Sequence, residues 1–339
     1  MKKIQTIGAG SRRGLAAAAG VAALLALTGC GGVQGGDKAE DPSKYPSRAI
    51  ELTVPYDPGG STDLIARALA QGLDEPLGEP VVVANKPGGG GVLGAREVLG
   101  TSGNGYSIVT LSQSQFSISP LVESDSNLLD LEEMRVLAGL TTEEYALVVP
   151  ADSPYASLQD LLTADKVSFS HSGVGTGTHY ALEVLFKDAE VQANGVPFDG
   201  SNPSLTALLG GQVDVSAGNI AEVMPQIKAG KIKPLATFSA ERSEFLPDVP
   251  TATEAGYDIV LDQRRFIAAP AGLSDEVADK LQTAIGEAES QQAYKDFLEK
   301  NYIAYWGADP EATKQQLKEA TEAIATKTQE LGIDFGQNG

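Results

Sequence analysis

Two stretches of this chain switch repeatedly between strand and helix periodicity, and that order restricts the fold more than any other feature. Ile50, Leu52 and Val54 alternate with polar residues and predict a strand. Pro55-Tyr56-Asp57-Pro58-Gly59-Gly60 breaks it. Ser61 or Thr62 can cap the helix that follows, Asp63 suits its positive first turn, and Leu64, Ile65, Ala68 and Leu69 give it one apolar face. Val81-Val82-Val83 is a short buried strand, residues 87–91 are a Gly-rich break, a short helix runs to Leu99, and Tyr106 to Leu111 is a third strand. That order implies a parallel sheet covered on both faces.

The pattern then restarts. Strands are expected at Ala146 to Val149, Val167 to Ser170, Val196 to Phe198, Val213 to Val215 and Leu235 to Phe238. Helices are expected at Leu158 to Leu162, capped by Ser157, at His179 to Lys187, from Ser201 to Gly210, and at Ile220 to Ala229. Ile259 to Leu261 and Phe266 to Ala269 read as connecting strands, and from Ser274 the chain is helical without further strands. With 339 residues there is chain for about two domains. The expected division is a first lobe of 45–143 plus 267–339 and a second of 144–266, with a cleft between them, a preferred place for small molecules.

The first thirty residues read as an address. Lys2, Lys3, Arg12 and Arg13 precede an apolar run, Leu15 to Leu27, too short to span a bilayer and suited to a signal peptide over 1–29. The run ends in Leu27-Thr28-Gly29-Cys30, which resembles a bacterial lipobox. Cys30, the only cysteine of the chain, is therefore the expected lipid attachment point, and Sec and Tat export both fit the segment. Residues 30–44 are Gly-rich and polar, as a flexible tether would be.

Charge excludes some partners. The net charge is −20, and because the four charges before residue 30 are all positive, the remainder carries −24. That argues against nucleic acid and against charge-driven docking on anionic lipid. With one cysteine no intrachain disulfide or Cys-based zinc site is possible.

Two loops carry candidate chemistry. Ser170 to His179 follows a strand and opens a helix, with Gly173, Gly175 and Gly177 giving access to backbone N–H groups and Ser172, Thr176 and Thr178 adding hydroxyls. Such a loop suits an anion, or is an ordinary glycine-rich turn. It matches neither a dinucleotide fingerprint nor a P-loop, and no Gly-x-Ser-x-Gly nucleophile elbow occurs anywhere. Pro58 to Asp63 has the same context, so the two loops can grip one carboxylate from both sides of the cleft. His171 and His179 lack a third metal ligand and a nucleophile partner, so the expected role of His171 is a hydrogen bond within the loop. Asn219 either reaches the cleft or caps a helix. Of Arg264 and Arg265, where the chain recrosses, one can meet a ligand carboxylate while the other is solvated. No metal or cofactor is implied, and the acidic C-terminal helices read as solvated faces.

Several ordered blocks resemble the tripartite tricarboxylate transporter substrate-binding proteins, also called Bug receptors. They are Tyr45-Pro46-Ser47-Arg48, Val54-Pro55-Tyr56 with Pro58-Gly59-Gly60 and Asp63, Asn85-Lys86-Pro87-Gly88-Gly89-Gly90-Gly91, the 172–179 loop, Val196-Pro197-Phe198 with Gly200-Ser201, Leu209 to Asp214, Ile227 to Lys231, Leu246 to Thr251 and Ala269 to Gly272. The resemblance covers essentially all of 45–330. It implies a two-lobed, type II periplasmic-binding-protein-like α/β fold, each lobe a mostly parallel sheet flanked by helices. It implies no catalysis, but a lipid-anchored extracytoplasmic receptor, taken as a monomer, that delivers a di- or tricarboxylate to large and small membrane subunits. A carboxylate sensor or an enzyme on the same scaffold are the alternatives. The site residues it implies are Gly60, Ser61, Asp63, Ser172, Gly173, Thr176, Gly177, Thr178 and Asn219, with Asp63 bonding loop amides; Tyr56, Gly59, Thr62, Ser112, His179 and Arg264 complete the expected ligand-binding set. Ser112 to Pro120 departs from the family's usual Gly-Thr and Asn-Pro pattern, which leaves the identity of the carboxylate open.

Overall fold

A computed structural model describes residues 42–122 and 128–335. The signal peptide, Cys30 and the tether as far as residue 41 lie outside the described residues. Pro42–Lys44, expected to end the tether, forms one helical turn.

The first unit follows the sequence reading. β1 (Ile50–Val54) leads to α1 (Ser61–Leu77), β2 (Val81–Asn85), α2 (Val92–Leu99) and β3 (Ser107–Ser112), and β1 pairs in parallel with both β2 and β3. Ile65, Ala66, Leu69 and Leu73 of α1 are fully buried in the core, the i, i+4 stripe that drives the helix onto the sheet. Gly78 ends α1 at φ 73°, a left-handed cap that a side chain would disfavour. α3 (Ser114–Ser117) follows β3 directly.

The next strand is the pivot of the molecule. β4 (Met134–Pro150) is 17 residues long, where only its last few residues read as strand in the sequence. Its first part pairs antiparallel with β9 (Asp262–Pro270), and its second part with β7 (Val215–Asn219) and β8 (Ile232–Thr237). After β4 come α4 (Leu158–Leu162), β5 (Lys166–His171), α5 (Gly177–Asp188), β6 (Gln192–Pro197), α6 (Ser201–Leu209) and α7 (Ile220–Lys228). β5 pairs in parallel with β6 and β7. The sheet order β2-β1-β3-β9-β4-β7-β5-β6 therefore joins both units through β4.

Parallel pairing holds within β1–β3 and β5–β7, as expected for each lobe, while β4, β8 and β9 add antiparallel pairs, so the sheet is mixed. The expected strand at Ile259 to Leu261 does not form. Leu261 donates one backbone bond to Phe238, and regular pairing begins only at Asp262. The helical end, α8 (Asp275–Ser290), α9 (Gln292–Lys300) and α10 (Pro310–Leu331), contains one unexpected short strand, β10 (Ala304–Tyr305), paired with β4.

α8 packs with α1 in the first core. α10 spans two other clusters: Leu317 packs with Phe116 and Phe266, whereas Ile324 joins Tyr145, Phe169 and Tyr180 in the core around β5. The Tyr180 hydroxyl donates to the Ile324 carbonyl, so the last helix reaches both units. Among the described residues no helix is long and apolar enough to cross a membrane.

Candidate functional site

Strand register decides which side chains can meet. In an antiparallel sheet, directly opposed residues share a face, and so do residues two apart on one strand. Ser112 of β3 opposes Arg265 of β9, Arg265 opposes Thr141 of β4, and Tyr145 of β4 opposes Asn219 of β7. Thr141, Glu143 and Tyr145 follow one another at the two-residue period. Ser112, Arg265, Glu143, Tyr145 and Asn219 therefore form a row on one face, crossing from the first unit to the second.

Arg264 opposes Thr142 and belongs to the other face. Its guanidinium pairs with Asp262 at 2.9 Å, lies 5.5 Å from the Trp306 ring centre and reaches the Gln316 carbonyl. The arginine in the row is thus Arg265, while Arg264, the arginine selected from sequence, lies on the opposite face.

Glu143 and Arg265 are 2% and 5% exposed, so each needs a partner in place. Arg265 Nε donates to Glu143 Oε2 at 2.5 Å, and the Ser61 hydroxyl donates to Glu143 Oε1. Ser61 is the first residue of α1, so this bond fixes the helix N-terminus beside the row. The Tyr56 hydroxyl bonds Ser112 Oγ at 2.6 Å; burial raises its pKa, against the influence of Ser112 and Arg265. Ser112 N–H donates to Gln115 Oε1, and a Cβ on Gly91 would lie 2.8 Å from Gln115 Nε2 and 2.9 Å from the Tyr56 ring. Only glycine fits there.

Loop 57–63 is closed by Asp63. Its carboxylate accepts from Gly59 N–H at 2.9 Å, from Asn85 Nδ2 at 2.9 Å and from Arg67. Burial alone would raise the Asp63 pKa; Arg67, Gly59 and Asn85 together hold it below the ordinary range. Asp63 thus bonds the loop itself. Gly59 turns at φ 85° with open space around it, while Thr62 is buried within the first turn of α1 and Gly60 stands at the N-cap position.

Loop 172–179 is closed by hydroxyls. Thr178 Oγ1 accepts from Ser172 N–H at 3.0 Å and lies 2.8 Å from Ser172 Oγ and 3.1 Å from Thr176 Oγ1. Thr176 donates to the Gly173 carbonyl at 2.7 Å and caps α5. Behind the loop the rings of His171 and His179 stack 4.2 Å apart. His171 Nδ1 lies 2.9 Å from the Gly173 carbonyl, as a donor must, and His179 Nδ1 accepts from Gly175 N–H at 3.4 Å. His179 therefore faces the back of the loop. Burial, reinforced by His171, pushes its pKa down to about 4, and burial lowers His171 too against the pull of the Gly173 carbonyl.

Tyr145 supports the second loop. A Cβ on Gly177 would lie 2.2 Å from its hydroxyl, so the α5 N-terminus rests on this ring. Burial raises the Tyr145 pKa well above normal; Arg265 opposes this, while Glu143, Glu222 and Tyr56 add to it. Asn219 stands at the N-cap of α7, where Glu222 reaches back to its N–H at 3.3 Å. Glu222 also bonds the hydroxyl of Ser201, the first residue of α6. Four helix N-termini, those of α1, α5, α6 and α7, thus gather around Arg265, Glu143 and Tyr145. Helix N-termini carry partial positive charge and unpaired N–H groups, which favours an anion.

Sequence reasoning missed Glu143, Tyr145, Ser201 and Glu222. The first two lie on the unrecognised part of β4, where polar residues at every second position face the row instead of solvent. Ser201 and Glu222 occupy helix first turns, where capping alone accounts for them.

A family model described as tripartite tricarboxylate transporter family receptor matches residues 65–333. A UPF0065 protein from Cupriavidus necator is 32% identical over 294 residues, covering 85% of this chain and 88% of its own length. The structure of the periplasmic binding protein BugD is 27% identical, with a TM-score of 0.78, covering 86% of this chain and 99% of that one. That of MatC from Rhodopseudomonas palustris with bound malate is 25% identical, with a TM-score of 0.76, covering 84% and 99%. The mixed α/β architecture is accordingly that of periplasmic binding proteins, and the chain belongs to the tripartite tricarboxylate transporter receptor family.

Proposed function

We propose that this chain is an extracytoplasmic receptor that captures a small di- or tricarboxylate and delivers it to the large and small membrane subunits of a tripartite transporter. One observation carries the reading: two helix N-termini with hydroxyl-bearing first turns, α1 with Ser61 and α5 with Thr178, flank a buried arginine at the junction of both units. The malate in MatC, at 25% identity, supports a carboxylate as the ligand. The Ser172 and Thr178 hydroxyls and the Asn219 amide bind it, together with the N–H groups of Gly60, Ser61, Gly173, Thr176 and Gly177, and Tyr56 and Ser112 shape its far end. Each charge-assisted hydrogen bond contributes about 1.5–3 kcal/mol.

The two units act as lobes, 45–143 with 267–339 and 144–266, that close over the ligand while α10 reaches across. Cys30 carries the lipid anchor, the receptor works as a monomer, and it performs no chemistry on its ligand.

Thermal-shift and calorimetric screening of the purified protein against malate, citrate and aromatic carboxylates tests this. A true ligand at 100 times its Kd adds about 2.7 kcal/mol of stability. Recovery of a chemically altered ligand, or no response from folded protein across the panel, would refute the reading.

A further inference from the structure

We propose that Phe335, in the segment that follows α10, is a positioning residue of the ligand site: its ring holds the His179–His171 stack against the back of loop 172–179, and so sets how tightly a carboxylate is bound. This rests on the carboxylate-receptor reading and adds what supports the second wall of the site.

The backbone of loop 172–179 does not fix its own shape. Gly173 turns at φ 133° and Gly175 at φ 75°, where glycine is free to move. The front of the loop is closed by the hydroxyls of Ser172, Thr176 and Thr178. Ser172 and Thr178 are also the hydroxyls offered to the ligand, so an arriving carboxylate draws on the bonds that close the loop. The back must then keep its shape. There His171 Nδ1 donates to the Gly173 carbonyl at 2.9 Å, and His179 Nδ1 accepts from Gly175 N–H at 3.4 Å. Neither bond survives a rotation of its ring. The two rings are stacked 4.2 Å apart with 22° between their planes, so whatever holds His179 holds both.

Phe335 is placed to do this. Its ring meets that of His179 in a T-shaped contact, 5.2 Å between centres, and stacks on Tyr180 at 5.8 Å and 28°. One ring thus touches two successive residues of the first turn of α5. Its own position is set by α10, which is held at both ends of its crossing. Leu317 packs with Phe116 and Phe266, and the Ile324 carbonyl accepts from the Tyr180 hydroxyl at 3.2 Å. Gly332 ends the helix at φ 59°, and Ile333 N–H bonds back to the Thr328 carbonyl at 3.1 Å. That turn lays Ile333 and Phe335 on the core around β5. The helix that joins the two units therefore delivers an aromatic ring to the back of the ligand loop.

Calorimetry on the whole protein tests this, with malate, or with citrate where only that binds. Phe335→Ala should weaken binding about tenfold, and Phe335→Tyr, which keeps the ring, should restore it. Ile333→Ala removes apolar packing from the same segment but leaves the ring on His179. It should lower stability in urea and keep the parental affinity. An NMR titration of the ligand-free protein reads the histidine directly. Burial, reinforced by His171, pushes the His179 pKa down to about 4 in the parent. It should rise toward the ordinary value in Phe335→Ala, as water reaches the ring, and stay in place in Ile333→Ala.

Parental affinity in Phe335→Ala, an equal loss of affinity in Ile333→Ala, no recovery in Phe335→Tyr, or an unmoved His179 titration would each overturn the proposal and leave the receptor reading standing. Absence of malate and citrate binding by the folded parent would overturn both.

Discussion

The loops that open α1 and α5 occupy matching places, each between the end of a strand and a helix start, yet they are held by different chemistry. Loop 57–63 hangs from one carboxylate, Asp63, which gathers an amide N–H, an asparagine and an arginine. Loop 172–179 hangs from three hydroxyls and two neutral imidazoles. The first fastening is strong and local, with its charge spent on Arg67. The second adds no charge beside an expected anion and can exchange its partners, because a hydroxyl both donates and accepts. A site of this kind can keep one rigid wall and one that adapts to the ligand.

Asp63→Ala is the harshest way to break the contrast. It leaves Gly59 N–H, Asn85 and Arg67 without their acceptor, and a loss of about 3 kcal/mol is expected in urea unfolding, the low end for a buried pair because Arg67 is half-exposed. A loss under about 1 kcal/mol would show that the carboxylate is not what holds this loop.

Acid tests the other loop. His179 has a folded pKa near 4 against an ordinary value near 6.5, so the folded state binds fewer protons and stability is lost as pH falls from about 6.5 toward 4. Comparison with His179→Gln, which keeps a neutral acceptor, removes contributions common to both proteins. The parent should lose about 2 kcal/mol more than the variant between pH 8 and pH 5. Equal losses would mean that His179 does not stay neutral behind the loop.

The smallest effect is expected from Thr178→Val, which removes the hydroxyl shared by Ser172 and Thr176 at similar side-chain volume. About 1 kcal/mol of stability should go, and malate affinity should fall by more than that loss implies. An unchanged affinity would move the ligand away from the α5 N-terminus.

Both loops were legible before the structure because glycine and hydroxyl residues between a strand and a helix pattern leave few alternatives. The floor beneath them was not. On β4, Arg135, Thr141, Thr142, Glu143 and Glu144 dilute the apolar alternation that marks a strand. They do so because part of the strand faces a polar site, so what makes it functional also hides it. The choice between Arg264 and Arg265 depends on parity against β3 and β4, and partners more than 100 residues away set that parity. Asp63 was readable as a loop fastener because its partners lie nearby, Gly59 within the same turn. Glu222 was not, since capping a helix needs nothing further to explain it.

The sheet order also bears on the sequence of events as the chain emerges. The second part of β4 through β8 is a contiguous run, and the pairings among these strands can close once residue 237 has been made. The first unit has no such independence. β3 waits for β9, and α1 waits for α8, both more than 150 residues downstream. Until then the apolar side of α1 has no cover, and the part of the chain made first is the last to be finished. The site, which needs Ser112, Arg265 and Glu143 on one face, comes into being only at that final step.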